Sequence, residues 1–128
     1  MTLVDTDVLI WFLRGRDEAR RILLKTEGLR ISAVTRMEVV QGLRDRKELP
    51  LLHRTLANLG IRTIEIDSSI SSRASLLVEN HFHSHHLQMA DALIAATAQE
   101  HGLALLTGNF KNYKDVPGLE LHRFVVKA

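Results

Sequence analysis

Short apolar runs at residues 3–4, 29–34, 61–66, 103–107 and 119–124 alternate with longer segments of helical spacing, and this alternation constrains the fold most. The runs are too short for core helices and are rich in Val, Ile and Leu, as buried strands are. Strands separated by helices imply right-handed βαβ crossovers. The expected class is therefore α/β: a three-layer α/β/α sandwich around a central, mostly parallel sheet of about five strands. The 128 residues fit one domain, 1–128, and no repeat, linker or low-complexity tract interrupts it.

The helical segments carry their own punctuation. Asp17 can cap a helix that Gly28 closes, and Thr35 opens another in which Met37, Val40 and Leu43 recur at helical spacing. Pro50 is tolerated only in a first turn, and Gly60 and Gly102 end the helices before the third and fourth strands. Trp11, Phe12 and Leu13 read as core.

In such a sheet, ligands bind beyond the carboxyl ends of the strands. Asp5 follows the first strand there. Asp7, just before an apolar helix from about residue 8, is expected to cap that helix. Glu38 lies in "SAVTRMEVVQG", in the first turn of a helix that follows a strand. Thr35 and Glu38 form a T-x-x-E capping box, a local role that competes with facing the strand ends. Asp91 sits in the alanine-rich helix "MADALIAATA" and shares a face with residues 88, 94, 95 and 98, three of them apolar. A carboxylate there needs a partner or a metal. Thr107 and Asn109 add a hydroxyl and an amide after the fourth strand.

These acids are far apart in the chain and fall on one rim of the expected sheet. Hard oxygen donors of this kind suit Mg²⁺ or Mn²⁺, which keep several waters and bind through few carboxylates. A net charge of +2 is compatible with a nucleic-acid substrate. Zero cysteines exclude disulfides and thiolate metal sites. No membrane-length apolar run and no basic N-terminal region are present, so a cytoplasmic protein with no membrane association is expected.

In order and spacing, "LVDTDVLIWFLRG", "SAVTRMEVVQG" and "ADALIAATAQEHGLALLTGN" resemble the PIN-domain family, and within it the VapC-type toxins of toxin–antitoxin systems. The resemblance runs nearly end to end. It implies an Mg²⁺- or Mn²⁺-dependent endoribonuclease that hydrolyses RNA, forms a homodimer, and is held inactive by a cognate antitoxin, with a higher toxin–antitoxin assembly as a further expectation. It carries over Asp5, Glu38 and Asp91 as an acidic triad, Asp5 and Asp91 touching the metal directly. Asn109 stands where many members have a fourth acid, and Asp7 where the family often has a neutral polar residue. Thr107 would support the site, and Arg14, Arg16 and Lys111 are candidates for RNA backbone contacts.

Two rivals differ in class. "DTDVL" resembles the D-x-D motif of haloacid-dehalogenase phosphatases, with Asp5 as nucleophile and Asp7 as acid/base, but matching downstream lysine and acid motifs are missing. A catalytically inactive RNA-binding module is the other. The tract "HFHSHH" invites zinc at His81 and His85, yet it offers no third ligand and reads as a solvated loop.

Overall fold

The structure, a computed structural model, describes residues 1–83 and 86–127. Among these, five strands form one all-parallel sheet, as the alternation predicts. The elements run β1 (Thr2–Val4), α1 (Thr6–Leu13), α2 (Asp17–Lys25), β2 (Leu29–Ser32), α3 (Ala33–Gln41), α4 (Glu48–Asn58) and β3 (Arg62–Ile64). They continue with α5 (Ser68–His81), α6 (Met89–Glu100), β4 (Ala104–Thr107), α7 (Phe110–Tyr113) and β5 (Leu121–Arg123). No helix among the described residues is long and apolar enough to cross a membrane.

Strand order is β3-β2-β1-β4-β5. After β1 the chain winds outward through β2 and β3, then returns to lay β4 on the other side of β1. The direction of winding reverses between β1 and β4, which opens a crevice at their carboxyl ends. The Asp5 N–H donates to the Leu106 carbonyl at 2.9 Å, holding the two strand ends together where the acids begin.

Successive strand residues point to opposite faces, and each face has its own core. Leu3 and Leu105 pack with Ile70, Ala74, Ala92 and Ala95, beneath α5 and α6. Val4 and Leu106 pack with Val8, Leu9, Leu23 and Leu52, beneath α1, α2 and α4. Helix α3 joins the two layers, since Val34 belongs to the first core and Val39 to the second. Trp11, Phe12 and Leu13 are half-buried against the second core.

Helix boundaries depart from expectation in ways that matter at the site. Asp5, rather than Asp7, caps α1: its Oδ1 accepts the Thr6 N–H at 2.8 Å. Ser32, rather than Thr35, caps α3, its Oγ accepting the Val34 N–H at 3.0 Å. The expected Thr35–Glu38 box therefore does not form, and Glu38 is released from backbone duty. Helix α2 begins at Asp17 with Arg16 as its cap residue. Pro50 lies in the first turn of α4, where its missing N–H has no partner to lose. Gly102 takes φ +62°, the left-handed turn that ends α6 and starts β4.

Candidate active site

Asp5 is fixed where β1 ends and α1 begins, and it is 3% exposed. Three donors converge on its carboxylate. Thr6 N–H and the Tyr113 hydroxyl reach Oδ1 at 2.8 and 3.2 Å, and the Thr107 hydroxyl reaches Oδ2 at 2.7 Å. These hydrogen bonds favour the charged form, but burial and then the negative charge of Asp7 outweigh them and push Asp5 up from 3.8 to about 7. Asp7 is raised in the same direction by burial, against the pull of the Gly108 and Val8 N–H groups.

Asp7 does not point its carboxylate freely into the crevice. Its Oδ1 accepts from Val8 N–H and its Oδ2 from Gly108 N–H, both at 2.9 Å, so it braces α1 against the turn after β4. Glycine is needed for this approach, since a Cβ at 108 would stand 2.5 Å from Asp7 Oδ2.

Asp91 lies in the first turn of α6 and is half-buried. Its Oδ2 accepts the Gln88 N–H at 3.0 Å and, more weakly, the Asn112 amide at 3.4 Å. Burial raises its pKa most, and the nearby Glu38 charge adds to the rise. Glu38 comes from α3, where its Oε1 accepts the Thr6 hydroxyl at 2.6 Å, while Thr6 Oγ1 also lies 3.1 Å from Thr35 Oγ1.

Tyr113 connects the acids. Its ring is buried, and its hydroxyl oxygen is 3.2 Å from Asp5 Oδ1 and 3.3 Å from Asp91 Oδ1. Burial, followed by the two neighbouring carboxylates, moves the phenol far above its ordinary pKa, so it stays protonated. One phenolic proton serves two carboxylates. Asp91, Tyr113, Asp5, Thr6 and Glu38 thus form one continuous chain of hydrogen bonds across the crevice.

The structure therefore brings Asp5, Glu38 and Asp91 together, with Thr107 beneath Asp5. It does not bring in the Asn109 side chain. Asn109 is exposed, and its backbone N–H donates to Thr107 Oγ1 at 2.9 Å, whereas the amide that meets Asp91 belongs to Asn112. Tyr113 and Asn112 were not singled out from sequence; the signal for Tyr113 was a lone tyrosine in the polar stretch "NFKNYKD". Arg16 is occupied elsewhere: its guanidinium pairs with Glu18, donates to the Lys127 carbonyl at 2.6 Å and lies over the Trp11 ring. Arg14 and Lys111 are exposed. His85 lies outside the described residues; His83 and His86 are exposed and His81 is half-buried.

The ion pairs among the described residues are Arg16–Glu18, Arg73–Glu100 and His122–Glu120, so none engages the clustered acids. Buried, mutually repelling carboxylates of this kind fit a hydrated divalent cation. Among the described residues, no three His, Cys, Asp or Glu side chains close into a metal cage.

Comparison with known proteins agrees with this fold. Ribonuclease VapC10 of Mycobacterium tuberculosis is 37% identical over 115 residues, covering 85% of this chain and 83% of its own length. A toxin–antitoxin complex from Klebsiella pneumoniae contains a chain 32% identical, with a TM-score of 0.79 over 99% of this chain and all of that one. A DNA-bound VapBC from Salmonella typhimurium has a TM-score of 0.82 over 98% of this chain and 100% of that one, at 21% identity, a likeness of fold alone. The sequence pattern that defines the PIN domain matches residues 2–119, and this chain, with its crevice between β1 and β4, is a member of the PIN domain family.

Proposed function

We propose that this protein is an Mg²⁺- or Mn²⁺-dependent endoribonuclease and the toxin of a toxin–antitoxin pair. The observation that carries the reading is Asp5: a buried carboxylate beside Asp7, tied through Tyr113 to Asp91, with no ion pair to balance it among the described residues. Asp5 and Asp91 would hold the ion and Glu38 would face it from α3. When bound, such an ion lowers the pKa of water and offsets charge building on a phosphodiester.

The chain's own residues supply the rest. Thr107 and the Thr6 N–H fix the Asp5 carboxylate, so that it does not swing away from the crevice. Thr6 holds Glu38 by Oε1, which leaves Oε2 to orient the attacking water and accept its proton. The names of the relatives from Mycobacterium and Klebsiella support the ribonuclease and the antitoxin. An antitoxin arginine could silence the site by pairing with the same carboxylates. The phosphatase alternative needs Asp7 as a mobile acid/base, and two backbone N–H groups already occupy it.

Incubation of the full chain with single-stranded RNA is expected to give cleavage with Mg²⁺ or Mn²⁺, none after EDTA, and recovery on adding the ion back. Undiminished cleavage in EDTA would dismiss the metal. RNA binding without cleavage would favour the inactive module, and release of phosphate from a small ester alone would favour the phosphatase.

Tyr113→Phe keeps the buried ring and removes the hydroxyl between the two carboxylates. Groups that orient metal ligands are worth roughly 10- to 100-fold in affinity. The Mn²⁺ dissociation constant should rise about tenfold by calorimetric titration while the circular dichroism spectrum stays unchanged. An unaltered constant would show that the hydroxyl does not set the carboxylate geometry.

A further inference from the structure

Beside the acids, a groove of about 560 Å³ runs between α7 and the segment that follows β5. Asn109, Phe110, Lys111, Asn112 and Arg123 line it, and no acidic side chain does so among the described residues. Its floor is joined to the acid site by hydrogen bonds, through Asn112 to Asp91 and through Gly108 to Asp7. At its centre the Arg123 guanidinium lies 4.4 Å over the Phe110 ring. Phe110 is half-buried and Arg123 exposed, so the guanidinium resting on the ring stays accessible to solvent.

Resting on the ribonuclease reading, we infer that this groove seats an unpaired nucleotide adjoining the scissile phosphate, its base stacked on the Arg123–Phe110 platform. A guanidinium held flat is a stacking surface for any base. Lys111 supplies charge for the adjoining phosphate, and the Asn109 and Asn112 amides offer donors and acceptors to base edges. The electrostatics fit this occupant. The groove is cationic and the neighbouring crevice acidic, so a strand crossing both meets positive charge where its phosphate is uncompensated and a metal site where it is cut. A duplex, whose bases are already stacked on one another, gains nothing from the platform.

The test measures binding of a fluorescent single-stranded RNA to the full-length Asp5→Asn protein by anisotropy, with cleavage by the active protein followed in parallel. Arg123→Gln and Phe110→Leu are each expected to weaken binding about tenfold and raise KM similarly, with kcat little changed. Arg123→Lys should preserve the salt dependence but not the affinity, because an ammonium keeps the charge and loses the plane. Duplex RNA of the same sequence should be nearly indifferent to Phe110→Leu and Arg123→Lys, and lose to Arg123→Gln only the contribution of one charge. Full recovery by Arg123→Lys would overturn stacking in favour of a simple phosphate contact. If the parent cleaves RNA and the variants match it in KM and binding, the nucleotide seat falls and the ribonuclease stands. Variants that bind RNA normally but lose a protein partner would reassign the groove to that partner. A parent that neither binds nor cleaves RNA would overturn both readings.

Discussion

Replacing Asp5 by asparagine is expected to reduce RNA cleavage roughly 1,000-fold, about 4 kcal/mol of transition-state stabilisation, while making the metal-free protein more stable. The two effects share one cause. Asp5 is 3% exposed and sits beside Asp7, and its pKa of about 7 means that at pH 8 the fold carries an ionised carboxylate it disfavours. A rise from 3.8 to about 7 corresponds to a penalty on the order of 4 kcal/mol once the group is fully ionised. Asparagine removes the charge. Its Oδ1 still accepts from Thr6 and Tyr113, and its amide nitrogen can donate to Thr107, whose hydroxyl turns to accept. The weaker, uncharged hydrogen bonds offset part of the gain, by about 1–2 kcal/mol. The net expectation at pH 8 is a melting temperature higher by several degrees. Asp5→Ala should behave oppositely, since it leaves the Thr6 N–H and the Thr107 hydroxyl without this acceptor, while Tyr113 keeps Asp91. Thermal melts and cleavage rates on the same preparations decide the matter. A destabilised Asp5→Asn protein would mean that the carboxylate contributes to the fold rather than straining it.

The second expectation concerns pH. In EDTA the protein should lose stability as pH rises from about 4 through about 7. The folded state holds a proton on Asp5 that the unfolded chain has already released in that window. With more protons bound folded than unfolded, the slope of stability against pH is negative. Asp7 and Asp91 are raised as well and add to the same slope. Glu18 is lowered, chiefly by the Lys127 N–H, and acts in the opposite sense as its carboxylate ionises at lower pH, where solvent screens it. Mg²⁺ should cancel most of the loss. An ion bound only by the folded protein, at 100 times its dissociation constant, contributes about 2.7 kcal/mol. It competes with protons for the same oxygens, so its effect should be small at pH 5 and large at pH 8. Melting curves across this range, with and without Mg²⁺, test the claim. A flat profile in EDTA, or a metal effect of equal size at both ends, would contradict it.

The layer architecture was legible because each strand is a compact apolar run and each crossover a helix, so a parallel sheet between helices followed from order along the chain, while the strand order β3-β2-β1-β4-β5 did not. The rim positions of Asp5 and Asp91 were legible for the same reason, since Asp5 follows β1 and Asp91 lies in the first turn of α6. Glu38, expected in a first turn, lies in the second turn of α3 because that helix already starts at Ala33. The caps were not legible. Asp5 and Asp7 are equally good N-cap residues two positions apart, and local preference does not choose between them; Ser32 is only modestly preferred over Thr35, three residues on. The choice was made by tertiary contacts: Thr107 and Tyr113 hold Asp5, and Thr6 draws Thr35 and Glu38 toward α1. Tyr113 was illegible for a different reason. Its helix, Phe110–Tyr113, is a single turn, too short for any hydrophobic period to show which side faces inward. The contrast between Asn109 and Asn112 has the same origin, because three residues on a one-turn helix decide which amide meets Asp91.

Strand β1 is the first to be made, yet one of its two neighbours, β4, begins a hundred residues later at Ala104. Thr107 and Tyr113, which anchor Asp5, are later still. During synthesis on the ribosome the N-terminal acids therefore emerge long before anything can hold them in place. On the ribonuclease reading, the Asp5 site is complete only once the last quarter of the chain has been made, because Thr107 and Tyr113 come from it.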